Sequence, residues 1–225
     1  MVSSLQRAFT LIELLTVIAI LGILSGLLIP VLNGVRQRAA QAECASNLRQ
    51  LGLAVLNYET DHNELPGPVR PAIRHPSTNP DDERNLPWVL RDYLGRDDSI
   101  WNNRSSEEAR NATANQYVYL LNNKGTTDPP FFFGSFASAV TTAADPLNKE
   151  NIRAAGESPP DDAVRGLSRI WMASNIDSLN YGPDVAGVQA PLPNDIEPPH
   201  NGGRNYVFFD GHVEFRRSGN WPANP

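Results

Sequence analysis

Apolar residues are unevenly placed along this chain of 225 residues: one unbroken block, one periodic stretch and several short clusters hold most of them. The block lies in "RAFTLIELLTVIAILGILSGLLIPVL", where the run from Leu14 to Leu32 is interrupted only by small residues, Thr16 and Pro30. At 1.5 Å rise per residue such a helix is roughly 28 Å long, close to the ~30 Å hydrocarbon thickness of a bilayer, so it can cross once. Beyond Pro30 the pattern becomes periodic. Val35, Ala39, Ala42, Leu48, Leu51, Val55 and Tyr58 follow one face of a helix, which predicts an amphipathic continuation of the same element. Pro30 removes a backbone donor and is expected to kink the helix, while Gly22, Gly26 and Gly34 loosen it or allow close helix approach. Nothing breaks the helix before Asp61, where "ETDHNELPGPVRP" ends it.

The rest of the chain alternates loops with short regular pieces. Residues 61–85, 141–166 and 182–204 are rich in Pro, Asp and Asn and read as loop. "LPWVLRDYLG" has the spacing of a short helix closed by Gly95, and "SSEEARNA" offers a capping box from Ser105 to Glu108. "QYVYLL", "FFF" and "RIWMAS" have the aromatic and branched composition of strands. In "NYVFFDGHVEFRR" the Asp210-Gly211 pair predicts a hairpin over 205–217 with a two-residue turn that sets Phe209 opposite His212. That register places Tyr206, Phe208, Val213 and Phe215 on one face, and Val207, Phe209, His212 and Glu214 on the other. A long helix followed by strands and loops argues for an α+β fold: the helix packed on a small antiparallel sheet, with extensive loops.

Charge and chemistry narrow the function by exclusion. A net charge of -6 leaves no basic patch for gripping a nucleic-acid backbone. The single cysteine, Cys44, has no partner for a disulfide and fits no CxxC or zinc spacing, so it reads as packing. A secretory signal peptide is the rival reading of the apolar block, since Ala40 to Ala42 supply an A-x-A pattern. The run is longer than a usual h-region, and Ala42 lies about ten residues beyond its end. Orientation does not follow from charge, because Arg7 precedes the span while Arg36 and Arg38 follow it. No phosphate loop, HExxH, GxSxG or EF-hand pattern occurs. The acidic clusters "NPDDERN", "GRDDS" and "PPDDAVRG" read as solvated loops. His200, Asp210 and His212 have ligand chemistry, but a turn role for Asp210 and a loop anchor at His200 account for them without metal. The "PPHNGGRN" loop is expected to fold back at Gly202-Gly203 and bring His200 against Asp210.

One group inside the apolar block demands an explanation. Glu13 is a carboxylate at the edge of a span, where insertion costs on the order of 3 kcal/mol at the membrane centre and less near an interface. Two readings are open on physical grounds. A carboxylate in the first helical turn is favoured by the helix dipole, and a carboxylate in lipid is also retained where it gains a cationic partner on another molecule.

"AFTLIELL" followed by an apolar span and Pro30 resembles the amino-terminal segment of type IV prepilins and type II secretion pseudopilins. "AECASNLRQLGLAVLNYETDHNELPG" is similar to the segment that follows it there. "HNGGRNYVFFDGH" looks like the His-x9-Asp-Gly element of prepilin-like proteins, here His200, Asp210 and Gly211. This chain has Ala8 where the family usually has Gly, and "SIWNNRS" where relatives often carry a Cys-Pro pair.

The resemblance implies a pilin-like fold with a leader at 1–8, a transmembrane helix at 9–32, its extramembrane continuation at 33–60 and an extracytoplasmic globular domain at 61–225. It implies cleavage between Ala8 and Phe9 by a prepilin peptidase and N-methylation of Phe9. Assembly into a type IV pilus or type II secretion pseudopilus follows, with Glu13 pairing with the Phe9 amine of a neighbouring subunit. The implied partners are prepilin peptidase, other pilin or pseudopilin subunits and an inner-membrane assembly platform; no nucleic acid is among them. The implied location is the cytoplasmic membrane, single-pass, with the C-terminal domain outside. No enzyme activity and no cofactor are expected. Related pseudopilins make calcium a candidate, with no ligand set assignable here. The alternative is a membrane-tethered module that binds a surface polymer through aromatics around Trp88 and Trp101.

Overall fold

The computed structural model describes residues 11–70, 72–74, 83–95, 98–101, 117–122, 132–134, 146–148, 151–152, 166–175, 199–217 and 219. The leader, Ala8, Phe9 and the Ser105–Glu108 capping box lie outside them. The chain divides into two compact units, Met1–Ala39 and Ala40–Pro225. Helix α1, Leu11–His62, contributes to both.

In the first unit the described side chains of α1 are exposed throughout, Leu14, Ile18, Leu21, Leu24 and Leu28 among them. This is the one helix among the described residues long and apolar enough to cross a membrane. The helix is continuous through Pro30.

In the second unit one stripe of α1 is buried: Cys44, Asn47, Leu48, Leu51, Ala54 and Val55 recur every three or four residues. Val35, Ala39 and Ala42, which share the periodicity, are exposed; the buried stripe begins at Cys44.

The stripe serves one core with an antiparallel sheet in the order β1 (Ala72–Arg74), β2 (Tyr117–Leu121), β3 (Trp171–Asn175), β4 (Gly203–Phe208) and β5 (Val213–Arg217). Helix and sheet approach closely at Gly52, where a Cβ would lie 2.6 Å from Val207 Cγ2. Only hydrogen fits there. The layout is α+β and pilin-like, as the order of elements suggests.

Several local expectations change. The "LPWVLRDYLG" segment forms two four-residue helices, α2 (Leu86–Val89) and α3 (Arg91–Leu94), before Gly95 at φ 69. Phe132 and Phe133 are core residues on a turn, not a strand; both are fully buried against Phe209. Strand β1 falls inside a stretch that reads as loop, since three residues between prolines give no alternation to detect. The hairpin starts at Gly203, two residues earlier than expected.

Its register also differs by one. Val207 pairs with Val213, Tyr206 with Glu214 and Asn205 with Phe215. Phe208 N–H donates to His212 C=O at 3.0 Å, and Gly211 N–H to Phe208 C=O at 2.8 Å. The connection is therefore a three-residue loop, Phe209, Asp210 and Gly211, with Gly211 at φ 86. A type I turn followed by a left-handed glycine makes such a loop, and it shifts β5 by one residue against a two-residue turn. Val213 and Phe215 join Val207 and Asn205, while Glu214 and His212 join Tyr206 and Phe208.

Candidate functional site

Two groups of residues carry the chemistry read from the sequence, and each belongs to a different unit. Glu13 lies in the first turn of α1, exposed among Leu11, Ile12, Leu14 and Leu15. Thr16 Oγ1 donates to its carbonyl at 3.0 Å, which keeps the hydroxyl satisfied within an apolar stretch. A negative charge in this turn is favoured by the free amide ends of the helix.

The C-terminal group departs from expectation. His200 and Asp210 do not meet: β4 lies between them, and its five steps of about 3.3 Å put roughly 17 Å of strand between Gly203 and Phe208. Gly202, at φ 78, leads directly into β4 and does not fold the loop back on the turn. Asp210 instead accepts from His212, through the backbone N–H at 3.1 Å and the ring Nδ1 at 2.5 Å. The imidazole of His212 stacks on Phe208 with ring centres 4.3 Å apart. Asp210 thus organises the turn locally, and Gly211 supplies the left-handed residue that the turn requires.

His200 sits in the short helix α4 (Pro199–Gly202) with φ 62, buried, and its Nε2 has no hydrogen-bond partner. Burial disfavours the charged ring and lowers its pKa to about 4, so it is neutral at pH 7.

Between helix and sheet runs a buried polar seam with no signature in the sequence. Asn175 Nδ2 donates to Cys44 Sγ at 2.8 Å, Asn205 N–H donates to Asn175 Oδ1 at 2.9 Å, and Asn205 Nδ2 reaches the Gln41 carbonyl at 3.3 Å. Cys44 therefore does more than fill space: it is an acceptor. Burial pushes its thiol up to about 11, which leaves it protonated and unreactive at neutral pH. Tyr119 donates to the Ile100 carbonyl at 2.9 Å, and burial holds its phenol well above the ordinary value.

At the far end of α1, Tyr58 stacks on His62 with ring centres 4.0 Å apart, and Tyr93 donates to Asp61 at 2.8 Å. Of the tryptophans in the polymer-binding alternative, Trp101 is buried in the core, and Trp88 is half-buried beneath the Arg91 guanidinium at 4.3 Å. Neither offers an open ring face on both sides. Among the described residues no group of three His, Cys, Asp or Glu side chains is placed to hold a metal.

Comparisons with known proteins bear on the N-terminal part of the chain and reach into both units. The prokaryotic N-terminal methylation motif matches residues 3–29, and the family described as "Protein of unknown function (DUF1559)" matches residues 34–123. Type II secretion system core protein G of Pectobacterium carotovorum subsp. carotovorum is 34% identical over 85 residues, 36% of this chain and 54% of that protein. The core protein G of Aeromonas hydrophila is 41% identical over 61 residues, 27% of this chain and 43% of that protein. A fimbrial protein of Neisseria meningitidis serogroup B is 40% identical over 65 residues, 29% of this chain and 38% of that protein.

The chain spans about half the length of the curated relatives it matches first. No solved structure matches it. Both family matches end before residues 198–217, so they leave the His200, Asp210 and Gly211 element untouched. The chain carries a prepilin-type N-terminal methylation motif and is homologous, over about a third of its length, to the type II secretion core protein G pseudopilins.

Proposed function

We propose that this chain is a prepilin-like structural subunit. Prepilin peptidase removes the leader at 1–8 by cutting between Ala8 and Phe9, and Phe9 is N-methylated. The mature subunit assembles through the apolar half of α1 into a type IV pilus or type II secretion pseudopilus. The carrying observation is the methylation motif at 3–29 continued by a helix whose apolar side chains are exposed. Such a surface is stable only in lipid or against other apolar helices.

Within that assembly Glu13 pairs with the Phe9 amine of a neighbouring subunit. Apolar side chains slide past one another at little cost, whereas a charge pair in a low-dielectric setting has one favourable register. Methylation of the amine keeps its positive charge and so keeps the pair. Pro30 bends the helix where it leaves the membrane. The subunit is anchored once in the cytoplasmic membrane, its folded unit lies on the extracytoplasmic side, and its partners are the peptidase, further pilin or pseudopilin subunits and the inner-membrane assembly platform. No catalytic step is assigned to it. His200, Asp210 and Gly211 have structural roles, at the two ends of β4.

Mass spectrometry of the mature amino terminus tests this reading. The expected result is a chain beginning at Phe9 with one added methyl group. An intact Met1, or a terminus at Glu43 after the Ala40–Ala42 pattern, would overturn it.

A further inference from the structure

Two arginines follow the apolar run of α1 closely, and no contact of the fold engages them. Leu32 and Val35 are 40% and 56% exposed and carry the apolar surface past Asn33, the first polar position after the run. Arg36 and Arg38 come next, both exposed. Neither has a hydrogen-bond or ion-pair partner among the described residues.

Their place along the helix is set by its rise. Counted from Leu32, the backbone of Arg36 lies about 6 Å farther along the axis and that of Arg38 about 9 Å. The headgroup layer of a bilayer is roughly 5–7 Å deep on each side of the hydrocarbon core. With the run from Leu14 to Leu32 in that core, Arg36 starts within the headgroups and Arg38 at their outer rim. Side chains of a helix lean toward its N-terminus, which for both arginines is the direction of the lipid. Their long stems then carry the guanidinium groups back to phosphate level. The two positions are about 200° apart around the axis, so they do not share one ion: each meets its own phosphate.

We propose that Arg36 and Arg38 dock the subunit onto anionic phospholipid headgroups, each guanidinium bound to the phosphate of a separate lipid. The inference rests on the proposed single crossing of the membrane by α1. Guanidinium suits phosphate through paired, charge-assisted bonds, and an anionic lipid is preferred because its phosphate has no cation of its own beside it. Each such charge near the surface gives about a fivefold gain in affinity. The contact fixes the depth of the span. The apolar run alone sets that depth loosely, since Leu32 and Val35 blur its outer end.

Native mass spectrometry of the full chain in detergent micelles tests the docking, with dioleoylphosphatidylglycerol or dioleoylphosphatidylcholine titrated in as the probe lipid. Phosphatidylglycerol should bind at least about tenfold more tightly than phosphatidylcholine. Arg36→Gln combined with Arg38→Gln should remove that preference. Arg36→Lys combined with Arg38→Lys should keep most of it, because the charge remains, and Arg7→Gln in the leader should leave it unchanged.

Equal affinity for the two lipids, or a preference that survives the paired glutamine substitution, would overturn the inference. Loss of the preference in Arg7→Gln would move the site to the leader and overturn it as well. Soluble glycerophosphate should not compete; competition would assign the arginines to a free anion and refute the lipid site. Alkaline extraction from phosphatidylcholine vesicles keeps the two readings apart. A chain released into the supernatant refutes the membrane crossing and the docking with it, whereas a retained chain with no preference for phosphatidylglycerol refutes only the docking.

Discussion

The two stretches of α1 carry the same secondary structure for opposite reasons. From Leu11 to Leu32 nearly every described position is apolar and exposed, and Gly22 and Gly26 would each have open space around an added Cβ. From Cys44 to Val55 one stripe is buried at helical spacing, the opposite side carries Arg49 and Gln50, and Gly52 has no room for a methyl group. A continuous apolar run needs no partner within its own chain, because lipid or another helix can cover all sides. A striped helix is incomplete without one. The first stretch is therefore specified by composition, and the second by complementarity to one particular sheet.

Substitutions with the same chemistry should act differently in the two stretches. The largest contrast concerns assembly. Under the proposed function, Glu13→Ala leaves membrane insertion intact, since it removes a charge that lipid disfavours, and leaves the melting temperature of the folded unit unchanged. Filament recovered from sheared cells should fall at least tenfold. Wild-type recovery would show that Glu13 serves only the first turn of its own helix.

The next contrast is in stability. Leu51 is fully buried and Leu24 is exposed. Leu51→Ala removes packed methyl groups and should cost the folded unit about 2–5 kcal/mol, measured by chemical unfolding of the full chain in detergent. Leu24→Ala should change that quantity by less than about 0.5 kcal/mol. Equal effects would abolish the distinction between the two stretches.

Legibility in the sequence follows the same divide. The apolar run, Glu13 within it and the end of the helix near Asp61 are local properties, readable in a window of about twenty residues. The second unit was readable only where its signals are local too. Asp210-Gly211 marks a turn, and "QYVYLL" and "RIWMAS" mark strands. The observed register differs from the expected one because Asp-Gly suits both a two-residue loop and the three-residue loop in which Gly211 takes the left-handed position. The seam ties Asn175 and Asn205 to Cys44 and Gln41, more than a hundred positions away, and no local pattern encodes it. His200 and Asp210 share a motif, yet the nine residues between them are mostly a strand, and a strand separates its ends.

A smaller effect is expected from pH. His200 is depressed to about 4 in the folded chain against an ordinary value of 6.5. Below pH 6.5 the unfolded chain takes up a proton that the folded chain resists. Stability should therefore fall as pH drops from about 6.5 toward 4, by at most about 1.4 kcal/mol per pH unit from this group. Carboxylates titrate in the lower part of the same range, so the informative quantity is the difference between wild type and His200→Gln. That difference should slope between pH 6.5 and 5 and flatten above 7. A flat difference throughout would mean that the imidazole is solvated in the folded protein.

The smallest effect has opposite causes at two glycines. Gly22→Ala sits in a helix with nothing within 4 Å of the new Cβ, so the folded unit should not register it. Gly211→Ala also meets no prohibitive contact, since the nearest atom to its Cβ, Leu56 Cδ1, is 3.6 Å away. Both sites have room for a methyl group, and the main difference is the backbone: Gly211 is held at φ 86, where an L residue places its Cβ against the following carbonyl. The expected cost is about 1–2 kcal/mol, seen as a lower melting temperature. Gly211→Asn should recover part of it, because asparagine tolerates the left-handed region better than alanine does. If alanine and asparagine are equally harmful, the loss comes from contacts with Leu53 and Leu56, and the turn conformation is not what selects glycine at this position.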